Sequence, residues 1–197
     1  MKVLRIVLLL ALLGACGNDQ DPVVSPAGST TTSAEGSTDA SSTSTTTGGA
    51  GDFGTTTVST PVADRGLLKT VRATNAGEVD RITFTFEGDV PGYRIGYVDR
   101  PIVQDGSGDE VTVDGAGVLG VHFEPASGFD LSGEGRQVYE GPNRLDLATK
   151  VVLDVVRVGD FEANLDWAIG VDGTDVPFRV RTEARSIIVE VRVPTGA

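Results

Sequence analysis

The 197-residue sequence contains only one cysteine and one histidine. A single cysteine excludes a disulfide within the chain, and the scarcity of both residues excludes zinc sites built from several Cys and His ligands. Basic residues are also few, because 16 Lys and Arg stand against 28 Asp and Glu, a net charge of −12. Binding to nucleic acid needs clustered positive charge, so we expect no nucleic acid partner. We predict neither a metal site nor a cofactor.

The apolar run near the N-terminus is too short for a transmembrane helix. Residues 6–13 (IVLLLALL) would span about 12 Å as a helix, far less than the roughly 30 Å of a hydrocarbon core. Lys2 and Arg5 precede this run and small residues follow it, which is the layout of a secretory signal peptide. We therefore predict a lipoprotein signal peptide at residues 1–15.

Cys16 lies directly after this segment. Residues 13–16 (LGAC) resemble a bacterial lipobox. The resemblance implies that diacylglycerol is transferred to the Cys16 sulfur and that the chain is cut before this residue. Each buried CH₂ contributes about 0.8 kcal/mol, so two or three acyl chains anchor a protein stably. We expect the protein to be secreted and tethered through Cys16 to the outer face of the cell membrane.

Serine and threonine dominate the next segment. They make up 20 of the 41 residues from 22 to 62, which include no Lys or Arg. Apolar side chains are too sparse there to offset the entropy of ordering the chain. We predict that residues 16–63 are a lipidated Cys followed by a disordered linker, and that residues 64–197 are a single domain. The linker is either a stalk that lets the domain reach outward or a passive spacer.

Alternation of apolar and polar residues, the period of a β-strand, recurs through the domain. It is clear in residues 81–87, 93–97, 119–123, 161–171, 178–182 and 187–193, whereas residues 151–158 are apolar on both faces, as in a central strand. Glycine and proline fall mainly between these runs. We predict an all-β fold with little helix, namely a single β-sandwich or partly closed barrel of about eight to ten strands.

One predicted hairpin joins the first two strands with aromatic side chains. Six residues separate Phe86 from Tyr93, and they include glycine and proline. This spacing predicts that Phe86 pairs with Tyr93 and Phe84 with Ile95.

Arg179 and Arg181 are the candidate ligand-binding residues. They alternate with apolar residues and should face outward together, where guanidinium groups can bind carboxylates with two hydrogen bonds. A four-residue connection to the last strand places Arg179 opposite Glu190, which favours an ordinary ion pair. Arg181 lies opposite Ile188 and is predicted to be the freer of the two.

Three other features carry weaker signals. His122 is a candidate base, but no nucleophile motif accompanies it and it should face outward, so we interpret it as a surface histidine. Residues 105–110 (DGSGDE) begin like a calcium loop, but Ala116 occupies the position of the bidentate Glu, which favours a plain turn. An exposed Trp167 would be able to stack on a sugar ring, but its apolar neighbours at two-residue spacing place it in the core. We predict no catalytic residue.

Several segments together resemble the AMIN-like domain of bacterial lipoproteins. They are residues 80–84 (DRITF), 91–98 (PGYRIGYV), 105–108 (DGSG), 159–162 (GDFE), 167–171 (WAIGV) and 177–180 (PFRV). The resemblance covers nearly all of residues 68–193, although the last strand departs from the ending expected for the family. AMIN-like domains are similar to the AMIN domain in front of cell-wall amidases, a β-sandwich that targets those enzymes to the envelope by binding peptidoglycan.

The resemblance implies a non-catalytic module of the cell envelope whose partner is peptidoglycan or an envelope protein. No amidase domain follows the matching segments, so no enzymatic activity is expected. Thirteen Arg against three Lys suit a high-GC genome, and the resemblance implies a Gram-positive bacterium of that kind. The alternative is a carrier or sensor that holds a small apolar ligand between two sheets. Large side chains should fill that space, namely Phe84, Phe86, Phe123, Phe161, Trp167 and Phe178.

Overall fold

The computed structural model describes residues 51–62 and 64–195, and these ranges contain twelve β-strands and no helix. The strands are β1 Val58–Thr60, β2 Gly66–Asn75, β3 Val79–Glu87, β4 Gly92–Tyr97, β5 Gly117–Glu124, β6 Ala126–Ser127, β7 Phe129–Asp130, β8 Arg136–Gln137, β9 Val152–Phe161, β10 Asn164–Val171, β11 Phe178–Glu183 and β12 Ser186–Arg192. The predicted signal peptide, Cys16 and most of the predicted linker lie outside the described residues. Within these residues no helix has the length and apolar character needed to cross a membrane.

Ten strands form two five-stranded sheets. Sheet A has the order β1-β4-β5-β10-β9, sheet B has the order β11-β12-β3-β2-β6, and β7 and β8 form a separate pair. Neither sheet closes on itself, so the all-β prediction is confirmed in its sandwich form. Eight of the strands have six or more residues, and the other four have two or three.

The core lies between the inner faces of the two sheets. The Phe84 ring of sheet B packs edge-on against Phe123 of sheet A, with ring centroids 5.0 Å apart. Phe84 also packs edge-on against Trp167 of sheet A, at 5.9 Å. These rings are buried and fill the space that the carrier alternative requires to be hollow.

The predicted hairpin between β3 and β4 is wrong. Strand β3 lies in sheet B, where β12 and β2 occupy both of its edges, and β4 lies in sheet A between β1 and β5. Tyr93 pairs with Phe123 instead of Phe86. The turn after β3 therefore carries the chain across the sandwich from one sheet to the other.

Residues 161–171 are not one strand. A tight turn at Glu162 and Ala163, both with positive φ (49° and 64°), separates β9 from β10. Phe161 consequently lies at the end of β9 and is half exposed, contrary to its predicted place in the core. The strand that follows Val151 is also not central, because β9 is the edge of sheet A. The outer face of β9 is apolar as well, because Val156 and Val158 pack in a small outer cluster with Val113, Val118 and Ala168.

Strand β1 lies before residue 64, the predicted start of the domain, and pairs with β4 of sheet A. Gly54 exchanges two backbone hydrogen bonds with Phe178 of sheet B, at 3.0 and 2.8 Å. Residues 53–60, which we call the N-terminal strap, therefore form the edge of sheet A and join it to β11, the edge strand of sheet B.

Candidate functional sites on the outer sheet faces

The outer face of sheet B gathers positive charge. Alternation along β2, β3, β11 and β12 places five arginines on it, while residues such as Val180 and Val191 point into the core. We call this surface the arginine face: Arg72, Arg81, Arg179, Arg181 and Arg192, with Glu183 and Glu190 among them. Residues 65–197 as a whole carry 14 basic and 22 acidic side chains, 14 − 22 = −8. The arginine face is thus a positive patch on a negative domain.

Glu190 lies at the centre of the arginine face with 1% of its side chain exposed. Its Oε1 accepts hydrogen bonds from Arg81 (Nε 3.0 Å, Nη2 2.7 Å) and from Arg181 Nη2 at 3.1 Å. Its Oε2 accepts from Arg179 Nε at 2.6 Å and from Arg181 Nε at 3.2 Å. Burial raises the pKa of Glu190, but the bonds from the three guanidinium groups outweigh burial and lower that pKa to about 2. The carboxylate therefore stays ionised and holds three arginines side by side.

The register predicted for the last two strands is confirmed. Arg179 lies opposite Glu190 and Arg181 lies opposite Ile188. The prediction that Arg181 is the freer arginine is wrong, because its long side chain reaches diagonally to Glu190 and also contacts Glu183. The Arg181 side chain is 24% exposed and that of Arg179 is 34% exposed. Ligand binding by either arginine stays a prediction.

The N-terminal strap covers one end of the arginine face. The ring of Phe53 lies between two guanidinium groups, with its centroid 4.4 Å from Cζ of Arg179 and 4.2 Å from Cζ of Arg192. Both distances are within the range of cation–π attraction. Phe53 thus orients these two arginines and shields part of their surface.

A cleft of about 360 Å³ lies on the outer face of sheet A, against the loop that follows β4. This volume is at the lower end of the range for small-molecule sites. Its lining includes both apolar and charged side chains: Val98, Ile102, Val103, Val158 and Ala168 among the first, and Arg94, Asp99, Asp105, His122 and Asp166 among the second. This cleft was not predictable from the sequence, because alternation does not show that a loop folds back over the sheet.

Two paired glycines let the neighbouring segments approach sheet A. Gly96 and Gly120 are partners on β4 and β5. A Cβ on Gly96 would lie 2.3 Å from Oγ1 of Thr57 in the strap, and a Cβ on Gly120 would lie 2.8 Å from Cγ1 of Val98 in the loop. Real Cβ atoms do not approach other atoms so closely. The strap and the loop can therefore lie against sheet A only because these two positions are glycine.

Arg94, His122 and Asp166 form one row across three neighbouring strands of the cleft. Nδ1 of His122 hydrogen-bonds Oδ1 of Asp166 at 2.8 Å, and Nε2 lies 3.8 Å from a Glu124 oxygen. The outward orientation predicted for His122 is confirmed, with 37% of its side chain exposed. Nδ1 is therefore held by Asp166, whereas 3.8 Å is beyond hydrogen-bond distance, so Nε2 interacts with Glu124 only as an ion pair when the imidazole is protonated.

The stability of the protein should depend on the protonation of His122. The hydrogen bond to Asp166 raises the pKa of His122 above its usual 6.5, and burial opposes this only in part. This contribution is fully present below about pH 6.5 and is lost as the pH rises through the higher folded-state pKa. We expect the melting temperature of the wild type to exceed that of His122→Gln by more at pH 5.5 than at pH 8.5. An equal difference at both pH values in thermal unfolding would contradict the prediction.

The segment that begins like a calcium loop is a turn. Gly108 donates its N–H to the Gln104 carbonyl at 3.0 Å, and Gly106 and Gly108 have positive φ values of 85° and 73°. Among the residues that the structure describes, no group of three or more His, Cys, Asp or Glu side chains is placed to hold a metal ion.

Comparison with known families agrees with the fold and with the segments quoted above. The model of the AMIN-like domain matches residues 66–193, about two thirds of the chain. No curated protein and no solved structure matches the chain significantly. AMIN-like domains are non-catalytic targeting domains associated with the cell envelope and with peptidoglycan. The match spans every strand from β2 to β12, and the chain therefore belongs to the AMIN-like domain family.

Proposed function

We propose that this protein is a lipid-anchored lipoprotein of a Gram-positive envelope whose β domain binds peptidoglycan without catalysing a reaction. The observation that carries the proposal is the arginine face, a preorganised positive patch in a family associated with the envelope. An envelope protein is the second candidate partner, since the same patch suits an acidic protein surface.

Peptidoglycan offers the carboxylates of its peptides to the arginine face. Three guanidinium groups surround the carboxylate of Glu190, and one of them, that of Arg181, also pairs with Glu183, which leaves an excess of one positive charge. Arg81 and Arg179 remain about one third exposed and keep N–H groups that point away from Glu190. Guanidinium groups bind carboxylates with two parallel hydrogen bonds, so the ligand can sit above Glu190.

The charge of the rest of the domain selects against other wall polymers. The net charge of −8 over residues 65–197 repels strongly anionic polymers such as teichoic acids. Peptidoglycan has charges of both signs and is repelled less. Charges farther apart than the Debye length of about 8 Å are screened at physiological salt, so this repulsion acts mainly at low ionic strength and the arginine face decides binding at contact.

The anchor and the linker make weak binding sufficient. If the linker is the flexible coil predicted from its composition, its root-mean-square span is on the order of 40 Å. A tether of this length holds the domain close to the wall and raises its effective concentration there. A millimolar site, worth about 4 kcal/mol, is then occupied.

The full chain in mild detergent should sediment with purified wall sacculi, and high salt should reduce the sedimented fraction. Replacing Arg179 with glutamine should weaken this binding about tenfold or more, because a charged hydrogen bond to the ligand contributes about 1.5–3 kcal/mol. Arg181→Gln should also weaken it, because this variant removes one positive charge from the arginine face. Arg136→Gln is the matched control, since it removes the same charge from an exposed ion pair with Glu87, away from the arginine face.

Two outcomes of this experiment would change the proposal in different ways. A folded wild type that never sediments would contradict wall binding and favour a protein partner. Sedimentation of Arg181→Gln and Arg179→Gln at the wild-type level would contradict only the assignment of these residues.

The lipid anchor has a test of its own. Cys16→Ser should yield an unprocessed precursor without lipid, because serine has no sulfur to form the thioether. Cells are labelled with a fatty-acid analogue and the protein is isolated. Incorporation into Cys16→Ser at the wild-type level would refute the anchor.

A further inference from the structure

We infer that the cleft on sheet A is a separate binding site for a zwitterion, a ligand with a carboxylate and an ammonium group joined by a short aliphatic stem. The inference stands apart from the proposed wall binding, because the cleft is on the opposite sheet from the arginine face.

Charges of both signs line the cleft without partners. The side chains of Arg94, Asp99 and Asp105 border it, and none of them forms a hydrogen bond or an ion pair with another described residue. On the arginine face, by contrast, Glu190 is bound by three arginines. One positive and two negative groups around a single cleft complement a ligand that carries both charges.

Arg94 and Asp105 lie at opposite ends of one row of the sheet. Arg94 on β4 is followed across the sheet by His122 on β5, Asp166 on β10 and Gly159 on β9. The backbone of Asp105 lies 4.0 Å from the Cβ position of Gly159. Three strand spacings separate the two ends, about 14 Å between backbones. That distance suits a stem of about five methylene groups, roughly 8 Å between its charged ends, plus a contact of about 3 Å at each end.

The middle of the row does not compete for the ligand's charges. His122 and Asp166 are hydrogen-bonded to each other there. Beside them, Val98 and Val103 are 39% and 48% exposed, which leaves apolar surface in the cleft uncovered. An aliphatic stem that lies against these two valines removes that surface from water. The ligand's carboxylate then meets Arg94 and its ammonium group meets Asp105.

The probe for this site is 6-aminohexanoate, and the single histidine supplies the signal. Hexanoate and hexylammonium are the matched analogues, each lacking one charge. The full chain with isotope-labelled histidine, in mild detergent, is titrated at constant pH while NMR follows the His122 imidazole. We expect a saturable shift with 6-aminohexanoate, and about tenfold weaker binding of each analogue. A shift that does not saturate, or equal binding of hexylammonium, would overturn the inference.

Substitutions at both ends complete the test. Arg94→Gln and Asp105→Asn should each weaken binding of 6-aminohexanoate about tenfold, and both residues are exposed, so the fold is kept. Arg136→Gln on β8 and Asp109→Asn in the same turn as Asp105 remove the same charges outside the cleft and should leave binding unchanged. Wild-type affinity in Arg94→Gln, or an equal loss in the controls, would refute the site.

Discussion

Replacing Trp167 with alanine should lower the free energy of unfolding by about 3–5 kcal/mol, the usual cost of truncating a buried aromatic residue. The indole is 1% exposed. It packs edge-on against Phe84 at 5.9 Å and against Tyr139 at 5.5 Å, so alanine would leave a cavity between the sheets. Unfolding in urea, followed by circular dichroism, measures the loss. Domains of this kind are stable by about 5–15 kcal/mol, so a large part of the stability is at stake.

Trp167→Phe separates the cavity from the loss of the indole N–H. Nε1 of Trp167 is buried and has no hydrogen-bond partner among the described residues, so phenylalanine forfeits no hydrogen bond. This variant should lose much less stability than Trp167→Ala. Leu131→Ala is the exposed control, since that side chain is 72% exposed and should change stability little. A cost below about 1 kcal/mol for Trp167→Ala would place the indole outside the core.

The burial of Trp167 was predictable because a strand's alternation assigns each side chain to a face. The register of the last hairpin was predictable for a related reason. The connection between β11 and β12 is short, so it leaves few pairings, and the one that places Arg179 opposite Glu190 also joins opposite charges.

Alternation does not show which sheet a strand enters. The turn between β3 and β4 contains glycine and proline, as a hairpin would, but both edges of β3 are taken by strands distant in sequence. The turn at Glu162 and Ala163 was missed because the sequence has no turn signal there. Both residues have positive φ values, but neither is a glycine or an asparagine, the residues that usually adopt them.

The two candidate sites also differ in how much of each could be predicted from the sequence. The outward orientation of Arg179 and Arg181 follows from local periodicity, but the convergence of three arginines on Glu190 also requires Arg81, about a hundred residues away in the chain. The zwitterion cleft depends on the path of a loop over sheet A. A loop path is set by tertiary contacts such as that of Val98 with Gly120, which no local pattern contains.

Replacing Asp80 with alanine should cost about 2–6 kcal/mol. Asp80 is fully buried at the junction between β3 and the start of β9. Its Oδ2 accepts the N–H groups of Lys150 (2.7 Å), Val151 (2.6 Å) and Val152 (3.0 Å), and Oδ1 accepts Nδ2 of Asn75 at 2.8 Å. Alanine would leave the buried N–H groups of Val151 and Val152 without an acceptor, at about 1–3 kcal/mol each. The free energy of unfolding in urea at pH 7 measures this loss.

The pH dependence of stability tests whether the charge of Asp80 matters. Burial raises the pKa of Asp80, but the hydrogen bonds from Asn75 and from the three backbone N–H groups outweigh it, so the pKa is lowered overall. The contribution is therefore present above the unfolded-state pKa of about 3.9 and is lost as the pH falls through the lower folded-state value. The contribution of Glu190 to the stability of the protein is also lost in acid, as the pH falls toward the pKa of Glu190 of about 2. Because the wild type and Asp80→Asn both contain Glu190, its contribution cancels in the difference between their free energies of unfolding. That difference should shrink as the pH falls from 6 to 3, and a constant difference would mean that Asp80 acts through shape alone.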